Sequence, residues 1–286
     1  MRAERTGRND TTIRRHDEGR CITDDPILIG VCLALLVPFL GNMLGAAFVF
    51  PLRNGMSERF QKVLLGFAAG VMIAASVWSL IIPSLEAAEG TGVPAWLPAA
   101  AGFLAGMLLL LAIDHFTPHL HVGATEPEGV DAGLKKSTMT IISLAIHNLP
   151  EGMAVGVVLA GFIDGDSSLT LSAVAAISIG IAIQNVPEGA IVSMPLLSHG
   201  VSKPKAFALG TLCGAVEPLG VLLMLAVTSL MTPLLPYVLA FAAGAMMYVV
   251  AEELIPETQQ GRHTNLGTIG LGAGFVLMMI LDVALG

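Results

Sequence analysis

HNLPEG at residues 147–152 returns as QNVPEG at residues 184–189, and each motif lies inside a long apolar run. Runs of about 20 apolar residues are the length that an α-helix needs to cross roughly 30 Å of hydrocarbon. A charged side chain at the centre of a bilayer costs at least about 2.5–3.5 kcal/mol unless it is paired or hydrated. Two related polar motifs at that depth therefore indicate a functional site inside a membrane-spanning bundle.

The composition of the whole chain is that of a membrane protein. Of its 286 residues, 54% are apolar and 13% are charged, and the mean hydropathy is +0.78; a soluble domain carries about 25% charged residues. The sequence has none of the short alternating segments of a transmembrane β-barrel. We predict an all-α membrane protein with eight spans, at residues 27–50, 62–84, 95–116, 138–162, 169–195, 205–230, 233–256 and 266–285.

The polar N-terminus differs in character from the rest of the chain. Residues 1–26 predict a disordered tail, and residues 27–286 predict a single transmembrane domain. The net charge of −8 and the lack of an interleaved basic and aromatic patch argue against a nucleic-acid partner.

Lys and Arg residues predict the orientation in the membrane. The loops after spans 2, 4 and 6 hold no Lys or Arg, and neither does the C-terminus, whereas the loops after spans 1, 3, 5 and 7 hold Arg53, Arg59, Lys62, Lys135, Lys136, Lys203, Lys205 and Arg262. The positive-inside rule places the odd loops in the cytoplasm and both termini outside. The six arginines of the N-terminal tail conflict with this orientation, and an N-in arrangement with an odd span count is the alternative.

Three internal echoes indicate an inverted repeat. FAAGVM at 67–72 resembles FAAGAM at 241–246, GMLLLLAID at 106–114 resembles GFVLMMILD at 274–282, and the third echo is the pair of PEG motifs. The echoes join spans 2 and 7, 3 and 8, and 4 and 5, so the members of each pair cross the membrane in opposite directions. This 3+2+3 arrangement is typical of transporters, whose substrate sites lie near the midplane.

Ionisable groups inside the bilayer concentrate on spans 4 to 7. No Lys or Arg lies at matching depth to pair with them, and the groups are His147, Glu151, Glu188, Glu217, Glu252 and Glu253. Carboxylates without protein cations imply either protonation or a bound cation.

Helical spacing favours the cation. Each of the two motif glutamates has polar residues three and four positions before it on the same helix face, namely His147 and Asn148 before Glu151, and Gln184 and Asn185 before Glu188. Two antiparallel helices with these half-sites predict two ions bridged by two glutamates. Imidazole with carboxylate suits zinc and other first-row divalent ions, whereas Mg²⁺ and Ca²⁺ prefer oxygen alone. The alternative is a polar helix contact with protonated glutamates.

At these residues the sequence resembles the ZIP (Zrt/Irt-like) family of divalent metal transporters, in its GufA-like branch. The resemblance covers the chain after residue 26, and it rests on HNLPEG with a second PEG motif one span later, supported by VEPLG at 216–220, AFAAGAMMYVV at 240–250 and LIPET at 254–258. It implies an eight-helix bundle, dimeric in many members, that moves metal into the cytoplasm.

The resemblance also implies two metal sites. The first site would consist of His147, Glu151, Gln184 and Glu188, and the second of Asn148, Glu151, Asn185, Glu188 and Glu217. Some members carry His or Asp at the positions of Gln184 and Asn185, and many carry a His-Glu pair at Glu252-Glu253. The second site is therefore one negative charge poorer than in members with Asp at position 185.

Other residues are candidates for the ion pathway or its gates. They are Met72 and Ser79 on one face of span 2, the repeat mates Asp114 and Asp282 near span ends, the three histidines His115, His119 and His121 of DHFTPHLH, and Glu252 and Glu253. The pathway role of Met72 and Ser79 is what the resemblance implies, and core packing is the alternative for both. Solvated loop positions are the alternative for the histidines. For the aspartates we favour a structural or gating role over metal ligation.

The predicted function is uptake of divalent metal ions across the cell membrane by alternating access. Zinc is the favoured substrate and Cd²⁺, Fe²⁺, Mn²⁺ and Co²⁺ are further candidates; no organic cofactor and no enzymatic activity are expected. One rival is a proton-coupled carrier of another solute. The other is an intramembrane metallohydrolase, but the chain lacks HExxH, and hydrolysis does not explain a repeated motif.

Overall fold

The computed structural model describes residues 25–51, 57–89, 91–118, 136–198, 201–230, 234–261 and 264–285. For residues 136–141, 143–145, 147, 195, 198, 229 and 230 it describes the backbone alone. Residues 1–24 of the predicted tail lie outside the described residues. All regular secondary structure within the described ranges is helical, which agrees with the predicted all-α class.

Eight long helices make up the described part of the chain. They are α1 (Pro26–Val49), α2 (Glu58–Ala87), α3 (Trp96–Phe116), α4 (Lys136–Asp164), α5 (Leu171–Ser198), α6 (Lys203–Gly214, continued by Val216–Leu230), α7 (Leu235–Gln259) and α8 (Leu266–Leu285). All except α4 are long and apolar enough to cross a membrane. α4 has 29 residues, which is long enough for a crossing at 1.5 Å per residue. The chain is therefore a multi-pass membrane protein.

The helix ends lie within a few residues of the predicted span ends, and α2 shows why they differ. Ser57 caps this helix, because its Oγ accepts a hydrogen bond from the backbone N–H of Phe60 at 3.3 Å. The cap starts α2 at Glu58, ahead of the apolar run that predicted residue 62 as its start.

Two helices contain π-helical segments at equivalent places. In α2 the segment is Ser76–Ile81, and in α7 it is Val250–Leu254. Each begins nine residues after the first residue of its FAAG sequence. Such segments are rare and occur frequently at functional sites.

Four helix pairs approach closely enough for backbones to touch, each through two glycines spaced four residues apart. A Cβ atom on any of these glycines would overlap the backbone of the partner helix: Gly41 and Gly45 of α1 against Ala182 and Val186 of α5, Gly66 and Gly70 of α2 against Gly267 and Leu271 of α8, Gly102 and Gly106 of α3 against Tyr237 and Phe241 of α7, and Gly152 and Gly156 of α4 against Glu217 and Val221 of α6. Small residues at this spacing are a common means of helix association in membranes.

The order of these contacts fixes the direction of the helices. In each pair, moving four residues along one helix moves the contact four residues along the other in the same sense. The two helices of every pair are therefore parallel.

Apolar residues occupy both the centre and the outside of the bundle. Met72, Ile177 and Met246 are fully buried in the core, whereas α1 and α8 present exposed residues such as Leu44 and Val283 on their outer faces. An apolar exterior is the surface that lipid tails contact.

Candidate metal site

The two PEG motifs meet side by side at the centre of the bundle. Gln184 on α5 donates a hydrogen bond through Nε2 to Oε1 of Glu151 on α4. Both side chains are buried. Pro150 lies inside the continuous helix α4, and Pro187 lies within α5 in the same way. The half-sites that helical spacing predicts are therefore adjacent in space.

A third carboxylate comes from α6. Glu217 is 1% exposed, and its backbone lies directly against Gly152 of the HNLPEG motif. Glu188 and Glu217 both lie close enough to Glu151 for the three carboxyl groups to interact electrostatically. Because Gly152 has no Cβ, α6 can approach α4 closely enough to bring this carboxylate beside the two central helices.

Several buried oxygen atoms in this region lack hydrogen-bond donors of normal geometry. Among the described residues, no donor of normal geometry reaches Asn148 Oδ1, Glu151 Oε2, Gln184 Oε1, Asn185 Oδ1 or the two carboxylate oxygens of Glu217. Leaving one such group buried and unsatisfied costs about 1–3 kcal/mol, and more for a charged group. Every one of these atoms is an acceptor, and a cation is the partner that can satisfy several acceptors at once.

Hydrogen bonds to the amide nitrogens orient two of these oxygens. The Nε2 group of Gln184 is occupied by Glu151, and Nδ2 of Asn185 donates to the carbonyl of Pro38 on α1 at 3.2 Å. Each amide nitrogen is thus bound to the protein, which leaves the oxygen of the same side chain as the free end.

The predicted ligands are only partly accounted for. The side chain of His147 lies outside the described residues. Among the described His, Cys, Asp and Glu side chains, no three converge closely enough to enclose an ion.

Asp114 and Asp282, which the repeat relates to each other, each accept a hydrogen bond from a hydroxyl group on another helix. Ser79 on α2 donates to Oδ1 of Asp282 on α8 at 2.5 Å, and Tyr248 on α7 donates to Oδ2 of Asp114 on α3 at 3.1 Å. Both aspartates hold two helices together. Their predicted gating role stays a prediction. Met72 is also buried in the core, at 1% exposure.

The remaining pathway candidates lie near the ends of α3 and α7. Glu253 is buried in the π-helical segment of α7 and Glu252 is exposed. His115 is exposed at the end of α3, with its ring edge against Phe116. His119 and His121 lie outside the described residues.

Two residues near the site were not predicted from the sequence. Glu257 on α7, like Glu253, lies close enough to Glu188 for the two side chains to interact electrostatically. Glu257 is the glutamate of the LIPET stretch. Asn42 on α1 is 1% exposed, with Oδ1 unpartnered among the described residues. The signal for Asn42 was a fourth echo, NMLG at 42–45 against EPLG at 217–220.

Comparison with known proteins agrees with the geometry. A family model described as ZIP Zinc transporter matches residues 135–282. Zinc transporter ZIPB of Bordetella bronchiseptica is 42% identical over 253 residues, which cover 87% of this chain and 79% of that protein. The chain belongs to the ZIP family. Zinc transporter ZIP11 of Homo sapiens is 37% identical with 85% and 93% coverage, and zinc transporter GufA of Myxococcus xanthus is 38% identical with 81% and 89% coverage.

Membership in the ZIP family decides between the transporter and enzyme readings of the sequence. It confirms the resemblance on which the sequence analysis relied, including its GufA-like character. It also makes the chain a transporter and not an enzyme, so the intramembrane metallohydrolase is excluded.

Proposed function

We propose that this protein carries zinc across the cell membrane into the cytoplasm through a binuclear site between α4 and α5. The observation that carries the proposal is the group of buried oxygen acceptors on α4, α5 and α6 that no donor of normal hydrogen-bond geometry reaches among the described residues. The relatives that are named zinc transporters support zinc as the substrate. Cd²⁺, Fe²⁺, Mn²⁺ and Co²⁺ share the ligand preferences of such a site to differing degrees.

Two ions would share the two bridging glutamates. His147, Glu151, Gln184 and Glu188 would hold the first ion, and Asn148, Glu151, Asn185, Glu188 and Glu217 the second. The hydrogen bond between Gln184 and Glu151 supports this pairing, because it brings a ligand of one helix to the bridging carboxylate of the other.

The parallel helix pairs support eight membrane crossings. α1 and α5 run in the same direction, which requires an odd number of crossings between them. α2 and α3 supply two, so α4 is required as the third, although it carries the polar motif. α4 and α6 are also parallel, and a single crossing, α5, lies between them, which is again an odd number.

Helix packing also supports the inverted 3+2+3 repeat. The repeat exchanges α1 with α6, α2 with α7, α3 with α8, and α4 with α5. This exchange converts the α2–α8 pair into the α7–α3 pair, and the α1–α5 pair into the α6–α4 pair. These are the four glycine-mediated pairs, so the repeat converts each observed helix contact into another observed helix contact.

Alternating access would move one group of helices against the other. The glycine pairs join α1 to α5 and α4 to α6, and the amide of Asn185 on α5 binds α1. We therefore expect α1 and α6 to move with the central helices that carry the ions. Loading would displace protons from the ligands, so that metal affinity rises with pH until the ligands are deprotonated.

The first experiment measures zinc uptake into liposomes that contain the purified protein and a zinc-sensitive dye. We expect uptake that saturates with zinc concentration and exceeds that of protein-free liposomes. Transport of a proton-coupled solute with no response to zinc, at verified protein incorporation, would favour the rival carrier and contradict the proposal.

Contacts at one end of the bundle support the predicted orientation. Lys203 donates to the carbonyl of Phe50 at 2.8 Å, so the loops after α1 and α5 lie at the same end. Glu58 and Leu266, at the starts of α2 and α8, line one cavity, which brings the loop after α7 to that end as well. The positive-inside rule makes this end cytoplasmic and puts both termini outside.

Cysteine labelling tests the orientation. In a variant without native cysteines, an added cysteine at the exposed position Lys205 should resist an impermeant thiol reagent in intact cells and react after permeabilisation. A cysteine added after residue 286 is the matched control and should react in intact cells. Labelling of position 205 from outside would reverse the proposed topology.

A further inference from the structure

We infer that Asn42 on α1 supplies a neutral oxygen ligand to the second metal site, on the side opposite to Glu217. The inference rests on the proposed binuclear site and adds to it a residue from a helix that contributes no other ligand. Four observations lead to it: a sequence echo, matched backbone contacts, the symmetry of the site and the state of the Asn42 side chain.

The sequence echo aligns Asn42 with Glu217. NMLG at 42–45 and EPLG at 217–220 share their last two residues and are separated by 175 positions. The FAAG echo of the next helices is separated by 174 positions. The two offsets agree to within one residue, so both echoes belong to the same repeat.

The backbone contacts of the two residues match. Gly45 packs against the backbone of Val186, and Gly220 packs against that of Leu149, which are equivalent positions of QNVPEG and HNLPEG. In the same way, Gly189 packs against the carbonyl of Asn42, and Gly152 packs against the carbonyl of Glu217. Asn42 therefore has the position relative to α5 that Glu217 has relative to α4.

The symmetry of the second site then places Asn42 beside the same ion. The repeat exchanges Asn148 with Asn185 and Glu151 with Glu188, so an ion held by all four lies on the pseudo-twofold axis. A rotation about that axis leaves the ion in place and carries the Glu217 position to the Asn42 position. If Glu217 approaches the ion from α6, Asn42 approaches it from α1.

The Asn42 side chain is buried, and its hydrogen bonding leaves the oxygen available for an ion. It is 1% exposed, and its Nδ2 donates to the carbonyl of Gly210 on α6 at 3.1 Å. Its Oδ1 has no donor among the described residues and lies against Gly189, where an added Cβ would be 2.6 Å away. Gly189 follows Glu188 in the chain, so this oxygen lies against the α5 backbone one residue after Glu188.

The two residues that the repeat relates, Asn42 and Glu217, differ in charge. Asn42 is one methylene shorter than Glu217 and neutral, so it would complete the coordination without adding attraction that slows release. A carboxylate in its place would add a negative charge beside Glu151, Glu188 and Glu217, which should tighten binding. Binding must remain reversible for transport.

The decisive comparison is between Asn42→Asp and Asn185→Asp. Both substitutions keep an oxygen and add a negative charge close to the ion, so zinc titration calorimetry of each purified variant should show binding at least about tenfold tighter than that of the wild type, together with a lower maximal rate of uptake in liposomes. Asn42→Ala should bind zinc about tenfold more weakly, because it removes the oxygen. Asn265→Asp, at an exposed position, is the control and should match the wild type.

A purely structural role for Asn42 predicts a different result for Asn42→Asp. Asn42→Asp loses the donor to Gly210, so it would lower the melting temperature and leave zinc affinity unchanged or weaker. That outcome, with Asn185→Asp tightened and wild-type uptake intact, overturns the inference and leaves the proposed function standing. Absence of zinc uptake by the wild type would instead remove the proposed function, and this inference with it.

Discussion

Replacement of either bridging glutamate, as Glu151→Ala or Glu188→Ala, is expected to abolish zinc uptake. Each would serve both ions, so one substitution removes a ligand from each of two sites. Changes in the groups around a metal commonly cost about 10–100-fold in affinity, and loss of a shared carboxylate should cost at least the upper end of that range. Uptake and zinc titration of the purified variants measure the effect.

Two further variants make this result interpretable. Glu217→Ala should be milder, because Glu217 belongs to the second site alone. Glu89→Ala changes an exposed glutamate just after the end of α2, for which no role in the pathway is predicted, and controls for the loss of a carboxylate as such. Zinc uptake by Glu151→Ala at the wild-type rate, with matched amounts of protein in the membrane, would contradict the two-ion site.

The central half-sites were predictable because their information is local. Glu151 and Glu188 each have partners three and four residues earlier on one helix, and this spacing fixes a shared face whatever surrounds the helix. The repeated PEG motif then predicted that the two faces meet. The hydrogen bond between Gln184 and Glu151 agrees with that expectation.

The contributions of α1 and α6 depend on tertiary packing and were harder to predict. Glu217 was recognised from the sequence as an ionisable group inside the bilayer, but only the family resemblance assigned it to the second metal site, because no helical period relates α6 to α4. The contact of its backbone with Gly152 is a property of the folded bundle. Asn42, for which we propose a ligand role, was not predicted either, because an isolated asparagine in an apolar span has no local partner and its echo of Glu217 shares only two residues.

The fold shows the same division between local and tertiary information. Apolar run length predicted the long helices, and their ends moved by a few residues where a cap such as Ser57 intervened. The π-helical segments of α2 and α7 were not predicted, because one extra residue in a turn leaves no clear mark on an apolar sequence. Ser79 lies within such a segment, and its contact with Asp282 therefore required the structure.

Gly152→Leu is expected to destabilise the protein and abolish uptake together. The four parallel helix pairs rely on backbone contact at glycine, and at Gly152 any side chain would overlap the Glu217 backbone. Overpacking a tight interior site typically costs about 1–3 kcal/mol and occasionally more. Since α6 can relieve the overlap only by moving away from α4, the Glu217 carboxylate would leave the site as well. Melting temperature in detergent and zinc uptake measure the two effects.

Gly272→Leu separates this steric argument from a general cost of introducing leucine. Gly272 lies on α8 with open space where its Cβ would be, so its substitution should leave both melting temperature and uptake near the wild-type values. Because a leucine at position 272 would face outward in an apolar surface, lipid can accommodate it without repacking the bundle. If Gly152→Leu behaved like Gly272→Leu, α4 and α6 would not be in backbone contact at the site. The route by which Glu217 reaches the ions would then have to be redrawn.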